Sequence, residues 1–122
     1  MDDDDMVRDM LGNMLRKLGY EASCAADGAE AVALYKEALA AGRPFTAAIF
    51  DLTVPGGMGG KEAIRELLAV DPQIKAIVSS GYSDDPIMAD FQTYGFLGVI
   101  TKPFRIMDLG KVLAAVATVH QG

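Results

Sequence analysis

The segment FTAAIFDLTVPGGMGGKEAIRELLAVDP, residues 45–72, contains the pattern that decides the fold. Residues 45–51 form a nearly continuous apolar run that ends in an aspartate, which is typical of a β-strand buried on both faces of a parallel sheet. After a glycine-rich loop, residues 61–72 place apolar side chains at helical spacing until Pro72 stops the helix. We therefore predict a strand, a loop and a helix in this order.

The same alternation extends in both directions from this segment. On the N-terminal side we predict a helix over residues 6–18, a strand over 20–26 and a helix over 28–42. On the C-terminal side we predict strands over residues 75–80 and 96–101, and helices over 84–95 and 105–120. Alternating strands and helices in one short chain predict an α/β fold, in which a parallel sheet carries helices on both faces.

The first helix begins almost directly after MDDDD, so no strand precedes it. An alternating α/β domain normally begins with a strand. The sequence therefore leaves two alternatives. Either the fold begins with a helix, or a first strand has been lost from this sequence.

Length and composition limit the classes of function. The chain has 122 residues, of which 51% are hydrophobic, enough to bury the core of a single domain. Its net charge is −6 and no cluster of Lys or Arg could neutralise several phosphates, so we expect no nucleic-acid binding by this chain alone. The longest apolar runs are far shorter than the ~20 residues of a membrane span, and no signal peptide opens the sequence. We expect a cytoplasmic domain without membrane contact.

Two residue types that often carry chemistry are assigned structural roles. Cys24 has no second Cys and no nearby His with which to form a disulfide or a metal pair, so we predict a small, buried apolar side chain. His120 lies two residues from the last residue, where we expect a frayed and solvated helix end.

Several polar residues directly follow the apolar runs of the predicted strands. They are Asp51, Ser79, Ser80 and Lys102, and four consecutive aspartates, residues 2–5, stand before the first helix. Ligands of parallel sheets bind at the carboxyl ends of the strands, where these side chains would meet. Carboxylates hold hard divalent cations, and a hydroxyl with an ammonium neutralises a phosphoryl group. The set therefore indicates phosphoryl transfer to an aspartate.

Each of these residues also has a structural explanation. Aspartates before a helix favour its dipole, Ser80 before Gly81 suits a turn, and an isolated lysine is usually a solvated surface charge. Asp51 is harder to explain in this way, because a carboxylate directly after a buried run is costly without a partner. The joint placement of the residues at one sheet edge favours the functional interpretation.

The four glycines within residues 56–60 match no phosphate-binding motif. The P-loop pattern G-x-x-x-x-G-K-[ST] would need a glycine at Pro55 and a hydroxyl at Glu62, so it fails at both positions. The dinucleotide pattern G-x-G-x-x-G is absent as well. We predict that these glycines form a flexible or tight loop that borders the acidic site.

Four features occur in a fixed order: an acidic pair before the first helix and polar residues after three successive strands. They are Asp2/Asp3, Asp51, Ser80 and Lys102-Pro103. Because these features occur in this order, the chain resembles the receiver domains of two-component response regulators and hybrid sensor histidine kinases. The resemblance implies a flavodoxin-like, doubly wound parallel sheet of five strands. Residues 1–122 would form one receiver domain, truncated at or after a first strand that belongs at the centre of the sheet.

The resemblance also implies the chemistry of the site. Asp51 would accept a phosphoryl group from the phosphohistidine of a histidine kinase or a histidine phosphotransfer domain. Mg²⁺ would be held by Asp3, Asp51 and the main-chain carbonyl of Thr53, with Asp2 assisting directly or through water. The activity of the domain would comprise at most its own phosphorylation and dephosphorylation.

Activation would change the surface that a partner reads. Ser80 would follow the phosphoryl group, Lys102 would pair with its charge, and the Lys102-Pro103 bond is expected to be cis. The readout surface would be the face of the fourth helix, the last strand and the last helix. Met88, Phe91 and Tyr94 contribute there, mostly as core residues by their spacing. A fused kinase or output domain is consistent with the resemblance.

The chain departs from the family pattern in three places. Val99 stands where an aromatic switch residue is usual, so the coupling of Ser80 would be weakened or rerouted through Phe96 or Tyr82. The glycine-rich loop is one residue longer than usual and has Gly59 in place of a frequent aspartate, as in receivers attached to hybrid kinases. The first strand is missing, which makes strand exchange between two chains, and hence a homodimer, an alternative.

Two other classes of function are alternatives. Residues 47–54, AAIFDLTV, are similar to the nucleophile motif of haloacid-dehalogenase phosphatases. Thr53, however, stands where their general acid is an aspartate, and a missing proton donor removes a factor of about a hundred or more in rate. A degenerate receiver that acts only as a docking module would fit if the acidic pocket were not assembled.

Overall fold

The computed structural model describes residues 1–81 and 85–117. Within these residues the α-helices are α1 (Asp5–Lys17), α2 (Gly28–Ala40), α3 (Gly60–Val70), α4 (Pro86–Ala89) and α5 (Ile106–Ala117). The strands are β1 (Ala48–Asp51), β2 (Ala76–Ser80) and β3 (Gly98–Thr101), and a 3₁₀ helix spans Phe91–Tyr94. None of these helices is long and apolar enough to cross a membrane.

The strands of the described residues form one parallel sheet in the order β1-β2-β3. Asp51 pairs in register with Ser79, and Ser79 pairs with Ile100. The carboxyl ends of the strands therefore lie side by side at one edge of the sheet. The residues that follow the strands are brought close together at that edge.

Apolar side chains cover both faces of the sheet. On one face, Phe50 and Val78 pack with buried residues of α2 and α3, namely Val32, Tyr35, Ala63, Ile64 and Leu67. On the other face, Ile77 and Ile100 pack with buried residues of α1 and α5, namely Leu11, Leu109, Leu113 and Val116. Helices thus lie on both faces of a parallel sheet, which confirms the predicted α/β class.

Aspartates fix the start of three helices. Asp4 is the N-cap of α1, where its Oδ1 accepts hydrogen bonds from the N–H groups of Met6 and Val7 at 2.9 and 3.3 Å. Asp27 and Asp85 accept in the same way from the first turns of α2 and α4. Helix capping therefore explains one member of the acidic run, Asp4, and leaves the others to be explained.

Two predicted elements differ in the structure. Residues 20–26 form no strand, and the helix predicted over 84–95 is instead α4 followed by the 3₁₀ helix. The break lies at Asp90, whose carboxylate accepts a hydrogen bond from Thr93 Oγ1 at 2.7 Å. The backbone of Asp90 has φ −118° and ψ 35°, outside the helical region, so α4 ends there. The last predicted helix is described as far as Ala117, and its predicted end, including His120, lies outside the described residues.

The first two residues lie between β1 and residues 20–26. The backbone nitrogen of Met1 donates to the carbonyl of Ile49 at 2.6 Å, and the carbonyl of Met1 accepts from the N–H of Asp51 at 2.9 Å. The N–H of Asp2 donates to the carbonyl of Ala25 at 3.1 Å. No strand precedes α1 in the part of the chain that the structure describes. Residues 20–26 therefore lack the continuous neighbouring backbone that a strand needs.

A cavity of about 590 Å³ separates residues 20–25 from β1. Apolar side chains of α1, α2 and β1 line it, among them Leu11, Leu34 and Phe50. Cys24 also lines this cavity, and it is exposed. The prediction of a buried Cys24 is wrong, because the segment that carries it is not packed against a neighbouring strand.

Candidate functional site

Asp51 is the last residue of β1 and carries a nearly buried side chain. Phe50, which precedes it, is 2% exposed and anchors the strand in the core, and Asp51 itself is 6% exposed. A carboxylate in such a position needs a partner. The Nζ of Lys102, one residue beyond β3, donates a hydrogen bond to Asp51 Oδ1 at 3.2 Å. The structure thus brings these two predicted site residues together across the sheet edge.

Asp2 forms hydrogen bonds through both its backbone and its carboxylate. Its Oδ2 accepts from Lys102 Nζ at 2.6 Å, and its Oδ1 accepts from the N–H of Asp4 at 3.0 Å. Its own N–H donates to Ala25, and its carbonyl oxygen accepts from Arg8 Nη1 at 2.9 Å. With 2% exposure, Asp2 is fixed in place as a buried acid that shares Lys102 with Asp51.

Asp3 completes an acidic cluster. Asp2, Asp3 and Asp51 each offer one carboxylate oxygen, and these atoms lie within 4.8 Å of one another. Asp3 is exposed, and no donor within residues 1–81 and 85–117 hydrogen-bonds its carboxylate. Oxygen atoms at this spacing are the ligand type that hard divalent cations prefer. Of the three acids, Asp3 is the one most open to an incoming ligand.

The charges of the cluster change the proton affinity of its members. Burial raises the pKa of Asp51, the Lys102 ammonium lowers it, and the charge of Asp2 raises it again, with a net rise. For Lys102, burial lowers the pKa, but the hydrogen bond to Asp2 and the charges of Asp51 and Asp2 outweigh this effect and raise it. Lys102 is therefore held as an ammonium. Three carboxylates still outnumber it, which favours the binding of a further cation.

The other predicted residues lie around this cluster. Ser80 ends β2, is 3% exposed, and its carbonyl accepts from the N–H of Lys102 at 2.8 Å. Thr53 is exposed, two residues beyond Asp51 in the loop before α3. Ser79, the register partner of Asp51, is buried, and its hydroxyl has no hydrogen-bond partner among the described residues. The Lys102-Pro103 peptide bond is cis.

The glycine-rich loop permits a close approach of two backbone segments. A Cβ on Gly59 would lie 2.5 Å from the carbonyl oxygen of Leu52, so only glycine fits here without a shift. The N–H of Gly28 donates to the carbonyl of Met58 at 2.7 Å, which joins the loop to the first residue of α2. The loop is therefore tight, one of the two forms that the sequence allowed, and it sets the start of α3 against the end of β1.

Two of the residues expected to act in the switch, Val99 and Phe96, pack on the same face of the sheet. Val99 is half-buried and packs on the Phe50 side of the sheet. Phe96 is fully buried there, with its ring centroid 6.5 Å from that of Phe50, the neighbour of Asp51. Tyr82, the other residue considered for this coupling, lies outside the described residues. Met88 is buried, whereas Phe91 and Tyr94 are half-buried against the same core, as their spacing predicts.

Arg8 also contacts the site, although no sequence motif indicated it. Its guanidinium reaches back from α1 to the Asp2 carbonyl and also pairs with the Asp5 carboxylate. The only signal in the sequence was a basic residue in the first turns of a helix that follows an acidic run, a position where acidic residues are usual. A basic residue there needs a local reason, which these two acceptors provide.

The amino-acid sequence matches a known family. The family model of the response regulator receiver domain matches residues 1–114. The chain belongs to the receiver-domain family. This receiver domain is 36% identical over 106 residues to the chemotaxis protein CheY of Thermotoga maritima, an alignment that covers 86% of this chain and 83% of that protein. It is 31% identical over 109 residues to the sensor kinase CckA of Brucella abortus, covering 89% of this chain and 11% of that kinase.

A solved structure shows the same fold. The receiver domain of the sensor histidine kinase PA1611 from Pseudomonas aeruginosa superimposes with a TM-score of 0.84 at 22% identity, over 98% of this chain and 94% of that one. Its crystal structure has a magnesium ion coordinated in the active-site cleft. At this level of identity the likeness shows the fold of the receiver domain and not its ligands.

Membership of this family establishes the class of function. A receiver domain is the phosphoacceptor signalling domain of a two-component phosphorelay. The match covers 114 consecutive residues, from the acidic run through most of α5, and not only the eight residues around Asp51. The haloacid-dehalogenase alternative is therefore not favoured.

Proposed function

We propose that Asp51 accepts a phosphoryl group from the phosphohistidine of a histidine kinase or a histidine phosphotransfer domain, in a Mg²⁺-dependent reaction. One observation carries this assignment. The Asp51 carboxylate is nearly buried, bound to Lys102 Nζ at 3.2 Å, and grouped with Asp2 and Asp3 within 4.8 Å. Asp2 is also buried beside Lys102 and two acids, but both of its carboxylate oxygens accept hydrogen bonds, whereas Oδ2 of Asp51 accepts none from the described residues.

The donor set fits a hard divalent cation. Asp3 and Asp51 would hold Mg²⁺ together with the main-chain carbonyl of Thr53, and Asp2 would assist directly or through water. Mg²⁺ prefers oxygen ligands and keeps several waters, so two carboxylates and one carbonyl suffice. When bound, the ion neutralises negative charge on the acids and on the phosphoryl oxygens. The magnesium ion described in the PA1611 receiver supports the choice of metal.

The chain's own residues position the reacting groups. One carboxylate oxygen of Asp51 attacks phosphorus, a P–O bond forms, and the P–N bond to the histidine breaks, with its electron pair remaining on the imidazole, which takes up a proton. Lys102, held by Asp2 at 2.6 Å, keeps an ammonium beside the attacking carboxylate of Asp51. The product, an acyl phosphate, adds roughly two negative charges beside Lys102 and Ser80.

The partners follow from this chemistry. The relative CckA is a sensor kinase, which supports a histidine kinase or phosphotransfer protein as the donor. Residues 1–122 would act as one receiver unit, and phosphorylation would bias the face formed by α4, β3 and α5. Ser80 moves toward the new phosphoryl oxygens in this proposal, and Phe96, packed on Phe50, is the aromatic residue placed to sense the change.

Incubation with Mg²⁺ and acetyl phosphate, followed by intact-mass measurement, tests the assignment. We expect the wild-type protein to gain one phosphoryl group, and Asp51→Asn to gain none. Asp9→Asn, on the exposed surface of α1, is the matched control and should behave as wild type. Phosphorylation that persists in Asp51→Asn contradicts the assignment. Multiple turnover of phosphate esters would indicate a phosphatase, and no change in wild type would indicate a docking module.

A further inference from the structure

Arg8 makes two contacts that reach back over the acidic run. From α1, its Nη1 donates to the carbonyl oxygen of Asp2 at 2.9 Å, and its Nη2 pairs with the carboxylate of Asp5. The Arg8 side chain is 22% exposed, so it lies against the chain and does not extend into solvent. The guanidinium fork therefore joins the irregular residues before α1 to the first residue of the helix.

The orientation of the Asp2 carbonyl affects the geometry of the acidic cluster. Its oxygen belongs to the same planar peptide unit as the nitrogen of Asp3. Fixing this oxygen therefore fixes the direction in which the chain continues to Asp3. The Asp3 carboxylate has no donor among the described residues, so its position depends on the backbone around it, which Arg8 holds at the Asp2 carbonyl and the Asp2 carboxylate holds at the Asp4 N–H. Its distance from Asp2 and Asp51 depends on the peptide that Arg8 holds.

We propose that Arg8 is a positioning residue for the metal site, which orients the peptide between Asp2 and Asp3 so that both carboxylates face Asp51. This inference rests on the proposed function, because it assigns Arg8 a role in binding the Mg²⁺ of that site. In this role Arg8 strengthens Mg²⁺ binding, whereas its positive charge alone would weaken it. As a cation close to the acids, Arg8 weakens Mg²⁺ binding by Coulomb repulsion, so removing it should tighten binding unless positioning dominates.

Two variants separate positioning from charge. Arg8→Lys keeps the charge and loses the planar fork, whereas Arg8→Gln loses both. Arg16→Lys and Arg16→Gln are matched controls, because Arg16 lies in the last turn of the same helix, is exposed, and its side chain hydrogen-bonds, among the described residues, Asn13 Oδ1 alone, at 3.4 Å. Isothermal titration with MgCl₂ gives the dissociation constant of each protein. Thermal unfolding in EDTA and the chemical shift of the Asp3 amide describe the metal-free state.

We expect the Mg²⁺ dissociation constant to rise about ten-fold in both Arg8 variants, the size typical of residues that orient metal ligands. The Asp3 amide resonance should shift, whereas the unfolding temperature in EDTA should match that of the Arg16 variants. Saturating Mg²⁺ should restore the rate of phosphorylation by acetyl phosphate. If wild type binds Mg²⁺ and the Arg8 variants bind it equally well or more tightly, the role of Arg8 is wrong and the proposed function stands. If wild type binds no Mg²⁺, both are wrong.

Discussion

Asp51 is a nearly buried carboxylate that lies beside two other carboxylates and one ammonium. Burial raises the pKa of Asp51, and Lys102 only partly offsets this rise. A folded-state pKa above the ordinary value means that the fold favours the protonated acid. The resulting contribution to stability is present at low pH and is lost as the pH rises through the folded-state pKa. At neutral pH the ionised nucleophile therefore destabilises the fold that presents it.

We predict that Asp51→Asn stabilises the metal-free protein at pH 7. The amide keeps the shape of the side chain and removes its charge, and Lys102 keeps Asp2 as a partner at 2.6 Å. We expect the free energy of unfolding in EDTA to rise by about 0.5–2 kcal/mol, as is common when a strained functional site is relieved. The difference from wild type should shrink as the pH falls toward the folded-state pKa of Asp51.

Urea unfolding at a series of pH values measures both parts of this prediction. Asp9→Asn, which removes an exposed charge from α1, controls for the change in net charge. If Asp51→Asn is less stable than Asp9→Asn at pH 7, the carboxylate stabilises the metal-free fold, and the direction argued here for the pKa of Asp51 is wrong.

The loop between β1 and α3 is the element that holds Asp51 at the sheet edge. Gly59 has φ −92° and ψ −173°, a conformation that any residue adopts, so its importance is steric. A Cβ at Gly59 would meet the Leu52 carbonyl oxygen at 2.5 Å. In contrast, a Cβ at Gly12 on α1 would meet only the mobile end of Arg16, at 3.1 Å.

These two glycines give a matched pair of substitutions. We expect Gly59→Ala to lower the free energy of unfolding by about 1–3 kcal/mol, because backbone must move to admit the methyl group. We expect Gly12→Ala to be neutral or to stabilise by up to about 1 kcal/mol, because alanine favours a helix. Urea unfolding gives both values, and the rate of phosphorylation by acetyl phosphate should fall only in Gly59→Ala. Equal effects of the two substitutions would show that the loop can relax.

The elements that the sequence predicted well are those with complete local patterns. Residues 45–51 and 61–72 contain a continuous buried run and a helical face, and the structure has β1 and α3 there. Residues 20–26 resemble a strand in composition, but strand pairing is a non-local property and their neighbouring backbone is reduced to one hydrogen bond from Asp2 to Ala25. The helix predicted over 84–95 is divided at Asp90 by a non-helical backbone conformation, which helical periodicity does not reveal.

The site was predictable where topology alone decides position. Asp51 and Ser80 end strands and Lys102 follows one. Parallel strands end at the same edge, so the proximity of these residues follows from the strand assignment. The role of each aspartate within the acidic run was not predictable. Asp4 caps α1 and Asp2 binds Lys102, and this depends on the path of the backbone and not on the four identical letters. The same holds for Arg8, whose partner is a carbonyl oxygen.

The whole molecule is acidic, and its fold concentrates charge at one place. Its net charge is −6, and three carboxylates converge around the ammonium of Lys102. Unfolding separates Asp51 from Asp2 and Asp3, which are far from it in sequence. A cation bound to the cluster therefore binds the folded protein and has no equivalent site in the unfolded chain, so that binding and stability are linked.

We predict that Mg²⁺ raises the unfolding temperature of the protein and that Asp3→Asn removes this effect. At a Mg²⁺ concentration ten times the dissociation constant, binding adds about 1.4 kcal/mol, which corresponds to a rise of about 5 °C for a domain of this size. Asp4→Asn is the control from the adjacent residue. It removes the same charge, but its Oδ1 can still accept the α1 hydrogen bonds, because asparagine caps helices as well as aspartate does. Scanning calorimetry with MgCl₂ and with EDTA measures the difference. If Asp3→Asn and Asp4→Asn respond to Mg²⁺ alike, the ion acts by screening the net charge, and Asp3 is not a ligand.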